Sequence, residues 1–283
     1  MSKPIVALTH PVTNPASPAL LEAITGLVSC AAAAILAIDP SRLAARNKAD
    51  RSPVTAADLA SQATITAGLA RIAPSLPLVC EEAAGQPVPS RLGPTFALID
   101  PLDGTREFIG GRDEFTVNVA IVNDGVPILG VIAAPALGLI WRGLTGAGAE
   151  RLRLAPGAPP GNASERAVIA PRPVPAKGLV AAISRSHFDP ATRAFLDRLA
   201  PTSRLECGSA LKFCRVAEGA ADIYPRLSPT SEWDVAAGHA ILAAAGGVVT
   251  TPDGRALTYG RSTEKFIVPG FVAYGDPRLA GTF

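Results

Sequence analysis

The chain has 283 residues, enough for one large domain or two modest ones sharing a core, and 48% hydrophobic against 18% charged residues is an ordinary globular balance. A formal net charge of +2, with no run of lysine or arginine, excludes a nucleic-acid-binding stripe. Four scattered cysteines (Cys30, Cys80, Cys207, Cys214) without a CxxC pair exclude a disulfide frame and a cysteine zinc site, and three histidines (His10, His187, His239) at no ligand spacing leave oxygen as the donor for any metal.

Residues 1–17, rich in Pro, Thr, Ser and Asn, read as a loose tail. Residues 20–38 are apolar enough to suggest a membrane span. However, Glu22 lies inside, and Leu20, Ile24, Leu27, Ile35 and Ile38 recur at helical spacing, so a buried amphipathic helix is the expectation. Turn chemistry over 48–58 leads into a second helix over 58–72, closed by Ala73-Pro74. Two short apolar strands, 77–82 and 95–100, each end on acids. The β-branched stretch 114–146 turns at Asn123-Asp124-Gly125 and predicts an antiparallel meander.

Glycine and proline crowd 146–178 around a strand-like 151–154. The chain therefore divides into an N-terminal half, 18–160, with an antiparallel sheet, and a C-terminal half, 161–283, that alternates elements. The latter should hold a strand over 179–184, helices over 190–199, from Ser209, and over 233–245, a strand over 221–224 and a hairpin at 252–254.

The acids carry the chemistry. Strand ends place Glu81 and Asp100 at a sheet edge, and Pro101, with its fixed dihedral, can turn Asp100 and Asp103 toward one point. A helix opening at Gly104-Thr105 would offer bare amides to an anion. Acids beside an anion site repel the anion unless cations lie between, which implies Mg²⁺ bridging to a phosphate. Taken singly, each piece has a plainer reading: Asp103 as a helix cap, Glu81-Glu82 as a solvated pair, Trp233-Asp234 as a helix start with a core tryptophan.

Together, Glu81-Glu82, DPLDGT (100–105) and WDVAAG (233–238) resemble the signature of the lithium-sensitive, magnesium-dependent phosphatase superfamily of inositol monophosphatase. SPVTAAD (52–58) also resembles a motif of that superfamily, and nearly everything after the tail is covered. GSALKFCRVAEGAADIYPR (208–226) and FVAYGDP (271–277) are most similar to the CysQ branch, whose members are 3'(2'),5'-bisphosphate nucleotidases. The resemblance implies a layered α-β-α-β-α fold with the site between an antiparallel sheet and a smaller mixed one. It implies two or three Mg²⁺: one on Glu81, Asp100 and the Leu102 carbonyl, a second on Asp100, Asp103 and Asp234, and a weaker third near Glu81. Asp58 should hydrogen-bond Thr105 to orient the attacking water, with Glu81 beside it, and Gly104 and Thr105 should grip phosphate. The phosphate would thus be bound among Glu81, Leu102, Asp103, Gly104, Thr105 and Asp234.

Two positions depart from the pattern. Cys80 stands where the family often has serine, and KFIVPGF (265–271) replaces an Arg-Asn pair on the nucleoside side. The implied reaction is hydrolysis of the 3'-phosphate of adenosine 3',5'-bisphosphate to AMP, in support of sulfate assimilation and nucleotide recycling. A remote phosphate needs its own cations. Lys212 and Arg226 are the first candidates, with Arg185 and His187 behind them, although each alone reads as an ordinary surface charge. An inositol- or sugar-phosphate phosphatase shares every metal ligand and is the alternative; a regulatory relative would be favoured by a lost ligand, and none is lost. The expectation is a cytoplasmic enzyme with a small-molecule phosphate substrate, no nucleic-acid partner and no transmembrane segment, with peripheral attachment to the inner membrane and a homodimer left open.

Overall fold

The computed structural model describes residues 15–40, 46–47, 53–83, 92–176, 178–185, 188–199, 203–261 and 266–282. His10 and the rest of the tail over 1–14, the turn at 48–52, His187 and Lys265 lie outside them. Helix α1 (Pro18–Leu36) starts where Ser17 accepts from the Leu20 amide, and a small ladder of β1 (Arg46–Asn47) and β2 (Pro53–Val54) precedes α2 (Ala56–Ile72). A seven-stranded sheet follows in order of sequence: β3 (Leu78–Cys80), β4 (Thr95–Asp103), β5 (Thr116–Asn123), β6 (Val126–Ala134), β7 (Leu139–Leu144), β8 (Gly148–Arg153) and β9 (Glu165–Val168), with the short helix α3 (Thr105–Ile109) after β4. The second sheet has order β11-β10-β12-β16-β14, from β10 (Val180–Ser184), β11 (Ser203–Cys207), β12 (Ile223–Arg226), β14 (Val248–Thr250) and β16 (Phe271–Tyr274). Its helices are α4 (Pro190–Arg198), α5 (Leu211–Ala217) and α6 (Glu232–Ala245); β13 (Thr230–Ser231) pairs with β15 (Ile267–Val268) beside them.

The period-2 pattern of the strands sorts the core into layers. Ala97 and Ile99 of β4, with Val117, Val119 and Ile121 of β5, face α1 and α2. Phe96 and Leu98, with Ala120 and Val122, face the opposite way, toward α5 and α6. Those two helices also cover Ala182, Tyr224, Phe271 and Ala273 of the second sheet, whose far face (Ala181, Ile183, Ile223, Val272) receives Phe195 and Leu196 of α4. The layers therefore run α-β-α-β-α. Helix α1 is long and apolar enough to cross a membrane, yet it is spent on this core: Leu20, Ile24, Leu27, Val28 and Ile35 are buried.

Helix α6 sits unusually close to the first sheet. A Cβ on Gly130 of β6 would come within 2.2 Å of the Ala237 carbonyl oxygen, and one on Gly143 of β7 within 2.8 Å of the Ile241 Cα. Only glycine admits this approach. The sequence reading stops β4 at Asp100, whereas the strand runs three residues further. The acids after β3 belong to a 3-10 turn (Glu81–Ala83), and β3 pairs parallel to β4, so the first sheet is antiparallel only from β4 onward. The sequence reading does not place strands β9, β11, β13, β15 and β16, of two to five residues each. The expected hairpin at 252–254 closes on a single bridge, Thr250 to Ala256.

Candidate active site

The site grows from an irregularity in β4. Asp100 pairs with Asn118 and Asp103 with Thr116, so three steps on one strand face two on the other. In a regular strand, residues three apart point to opposite faces. The extra residue of this β-bulge brings both acids to one face. Pro101 is tolerated there because a bulged position needs no ladder donor, and its carbonyl accepts from Ser61 Oγ of α2 at 2.6 Å. The Leu102 amide donates to Asp100 Oδ1 at 3.0 Å, which fixes that carboxylate.

Other elements converge on the bulge. Glu81 follows the residue of β3 that pairs with Ile99, which sets it beside Asp100. Asp234 lies in the first turn of α6 and accepts a short hydrogen bond from Thr230 Oγ1. Thr105 Oγ1 donates to Asp58 Oδ1 at 3.2 Å, while the other Asp58 oxygen accepts from the Thr55 amide and hydroxyl at 2.8 and 2.6 Å, completing a capping box on α2. Gly104 has φ +91°, and a Cβ there would meet Ser209 Oγ at 2.3 Å. Helix α3 spans only five residues, so an anion there would be held by individual amides more than by a macrodipole.

Glu81, Asp100, Leu102, Asp103, Gly104, Thr105, Asp234, Lys212 and Arg226 all line one cavity of about 270 Å³; Asp58 stands behind Thr105. The crowding has an electrostatic signature. Asp100 has its pKa raised well above the ordinary carboxylate range, by burial first and then by Glu81, Asp103 and Asp234, and it shares a hydrogen bond with Glu81. Asp103 is pushed up to about 7 by burial and Asp234, with Lys212 pulling the other way. Burial also raises Asp58, against the hydrogen bonds from Thr55 and Thr105.

The cationic wall corrects the reading of Lys212 as an ordinary surface charge. It is 2% exposed, its ammonium donates to the Ser209 carbonyl and lies 5.3 Å from the Tyr224 ring centroid. Arg226 is mostly buried as well; burial opposes its charge, but Tyr224, Asp234 and Asp103 outweigh that and raise its pKa. Its Nε is enclosed and has no hydrogen-bond partner among the described residues. Arg185 does not line the cavity and instead pairs with Glu114 at 3.0 Å. Sequence reasoning missed Ser209, whose hydroxyl reaches the carbonyls of Asp103 at 2.9 Å and Glu114 at 2.8 Å from a backbone with φ +50°. It also missed Ser61 and Thr230. Ser209 is the second residue of a stretch singled out by motif, where the sequence reading opens a helix, but α5 begins at Leu211 and nothing local marks Ser209 as a strut between two halves.

The donor set suits a hard cation. Five acids and three bases line the cavity, leaving an excess of negative charge when all are ionised, and every acidic donor is oxygen. Among the described residues no three Asp, Glu, His or Cys side chains stand gathered as a preformed cage. Mg²⁺ does not require one, because it keeps several waters and binds through one or two carboxylates plus substrate phosphate.

Comparison with known proteins agrees with this architecture. A CysQ 3'(2'),5'-bisphosphate nucleotidase of Shigella flexneri is 41% identical over 80% of this chain and 86% of its own length. Its counterpart in Escherichia coli strain K12 is 40% identical over the same shares. The crystal structure of CysQ from Bacteroides thetaiotaomicron, a bacterial member of the inositol monophosphatase family, superposes with a TM-score of 0.75 at 32% identity, covering 93% of this chain and 99% of that one. The sequence pattern of the inositol monophosphatase family matches residues 18–273, and the chain belongs to that family.

Proposed function

We propose that this protein is a magnesium-dependent phosphomonoesterase that hydrolyses the 3'-phosphate of adenosine 3',5'-bisphosphate, giving AMP and phosphate. The family is generally magnesium-dependent, and relatives about 40% identical carry the nucleotidase name. The observation that carries the reading is the pairing, in one cavity, of an acid cluster with two cations, the buried Lys212 and the partly buried Arg226. A monophosphate phosphatase needs only the acids and their metal, whereas a bisphosphate substrate needs a second set of charges.

Glu81, Asp100, Asp103, Asp234 and the Leu102 carbonyl would hold the magnesium. Bound there, it supplies Lewis-acid activation of water and neutralises charge on the phosphate. The chain's own groups then set the geometry. Thr105, held by Asp58, orients the attacking water, and Glu81 takes its proton. The water oxygen bonds to phosphorus as the bond to the ribose 3'-oxygen breaks; that oxygen takes a proton from solvent water and leaves as a hydroxyl, and Glu81 returns the proton it took to solvent. Gly104 and Thr105 amides hold the phosphate oxygens. Lys212 and Arg226 pair with the 5'-phosphate, which stays attached and contributes to positioning. No step uses a histidine or serine nucleophile.

Phosphorus NMR of the reaction with Mg²⁺ checks the reading: the 3'-phosphate resonance should disappear with the 5'-phosphate retained, and Li⁺ should inhibit. Release of the 5'-phosphate, or full activity in the presence of a strong chelator, would contradict it.

A further inference from the structure

The mechanism leaves two fully buried polar side chains without a task. Thr116 and Asn118 of β5 are both 0% exposed, and neither the Thr116 hydroxyl nor either end of the Asn118 amide has a hydrogen-bond partner among the described residues. A buried polar group left unsatisfied costs about 1–3 kcal/mol, and native proteins retain few of them. Two such residues on one strand call for a physical reason.

Their register supplies one. Asn118 stands directly across the ladder from Asp100, and Thr116 directly across from Asp103. Directly opposed residues share a face, with Cβ atoms about 4.5–5.5 Å apart. The two orphaned side chains therefore occupy the two rungs that flank the bulge, on the acids' own face. Val117 and Val119, their neighbours along the strand, turn to the opposite core. Neither Thr116 nor Asn118 lines the cavity itself.

The chemistry is complementary. Ionised carboxylates only accept hydrogen bonds, a threonine hydroxyl offers one donor, and an asparagine amide offers two donors and an acceptor. A buried polar space with two to four such partners is where ordered water is found.

We propose that Thr116 and Asn118 are positioning residues for the acid pair, donating hydrogen bonds through ordered water to Asp103 and Asp100 and so aiming both carboxylates into the cavity. The inference rests on the reading of those acids as magnesium ligands. Partners that orient ligating carboxylates are worth about 10–100-fold in metal affinity or activity. Were the two side chains merely enclosed, apolar replacements of the same shape would be neutral or stabilising.

The test counts free Mn²⁺ by electron paramagnetic resonance in titrations of the full chain without substrate, so that turnover plays no part. Thr116→Val and Asn118→Leu should each weaken Mn²⁺ binding about 10–100-fold with unchanged circular dichroism. Thr116→Ser, which keeps the hydroxyl, should bind as the wild type does. Should Asn118→Leu fail to fold, the nearly isosteric Thr116→Val decides. Wild-type affinity in Thr116→Val, alongside lost binding in Asp103→Asn, overturns this inference alone. Wild-type affinity in Asp103→Asn overturns the metal reading, and this inference with it.

Discussion

The two walls of the cavity are built in opposite ways. The acidic wall is largely local: Asp100, Pro101, Leu102, Asp103, Gly104 and Thr105 are contiguous, one β-bulge aims Asp100 and Asp103, and Glu81 and Asp234 join them from the turn after β3 and from α6. The cationic wall is assembled: Lys212 comes from α5, Arg226 from the end of β12, and Ser209 ties their side of the cavity back to the carbonyl of Asp103. Helix α6 serves both, since it lies between the two sheets and carries Asp234 into the site. A wall made of neighbouring residues keeps its geometry through local backbone bonding, while a wall gathered from distant elements depends on packing. The proposed function assigns chemistry to the first wall and substrate choice to the second.

The largest effect should come from the acidic wall. Asp103→Asn keeps the shape and removes the charge, and should lower kcat by about two orders of magnitude or more, in line with several kcal/mol of metal-assisted stabilisation. Steady-state kinetics with circular dichroism as a folding control measures it; near-normal turnover would detach the chemistry from this wall.

Next is the seat of α6. Gly130→Ala forces a Cβ to within 2.2 Å of the Ala237 carbonyl, and should destabilise the protein by about 1–3 kcal/mol in urea unfolding. Turnover should fall as well, because the helix that must shift carries Asp234. Wild-type stability would show that the close approach is not needed.

The other side of α6 gives a pH signature. His239 Nδ1 lies 2.9 Å from the Tyr259 hydroxyl, and burial pushes its pKa down to about 4 from 6.5. The unfolded chain takes up this proton more readily, so the contribution is fully present above pH 6.5 and is lost as pH falls toward 4. Between pH 7 and pH 5 it amounts to about 2 kcal/mol. Urea midpoints should fall over that window, and His239→Gln should blunt the fall; an equal fall in both proteins would remove His239 from the account.

Much of the acidic wall was legible in the sequence, because short motifs encode local geometry. DPLDGT, the Glu81-Glu82 pair and the Trp233-Asp234 helix start all carry their chemistry in adjacent letters. So do α1, α2 and the meander, whose apolar periods are long enough to read. The bulge was not legible: it exists only in the register between β4 and β5, which also aligns Asn118 with Asp100. Lys212 looked like a surface charge because nothing nearby in sequence reveals the carbonyls of Cys207 and Ser209 that receive its ammonium. Arg185, the candidate ranked behind Lys212 and Arg226, is occupied by Glu114, 71 residues away.

A smaller effect separates the walls most cleanly. Arg226→Ala should lower kcat/KM for adenosine 3',5'-bisphosphate about tenfold, the loss of one charge-assisted contact of roughly 1.4 kcal/mol. The loss for inositol 1-phosphate, which has no second phosphate, should be much smaller. Equal losses on both substrates would assign Arg226 to the acidic wall's work and leave substrate choice unexplained.

The most direct measurement compares kcat/KM of the purified protein with Mg²⁺ on adenosine 3',5'-bisphosphate, 3'-AMP and inositol 1-phosphate. If Lys212 and Arg226 select the substrate, the bisphosphate wins, 3'-AMP falls behind it for want of the 5'-phosphate, and inositol 1-phosphate is poorest. A higher kcat/KM for inositol 1-phosphate than for the bisphosphate would contradict the nucleotidase reading and leave an inositol-phosphate phosphatase on the same acids.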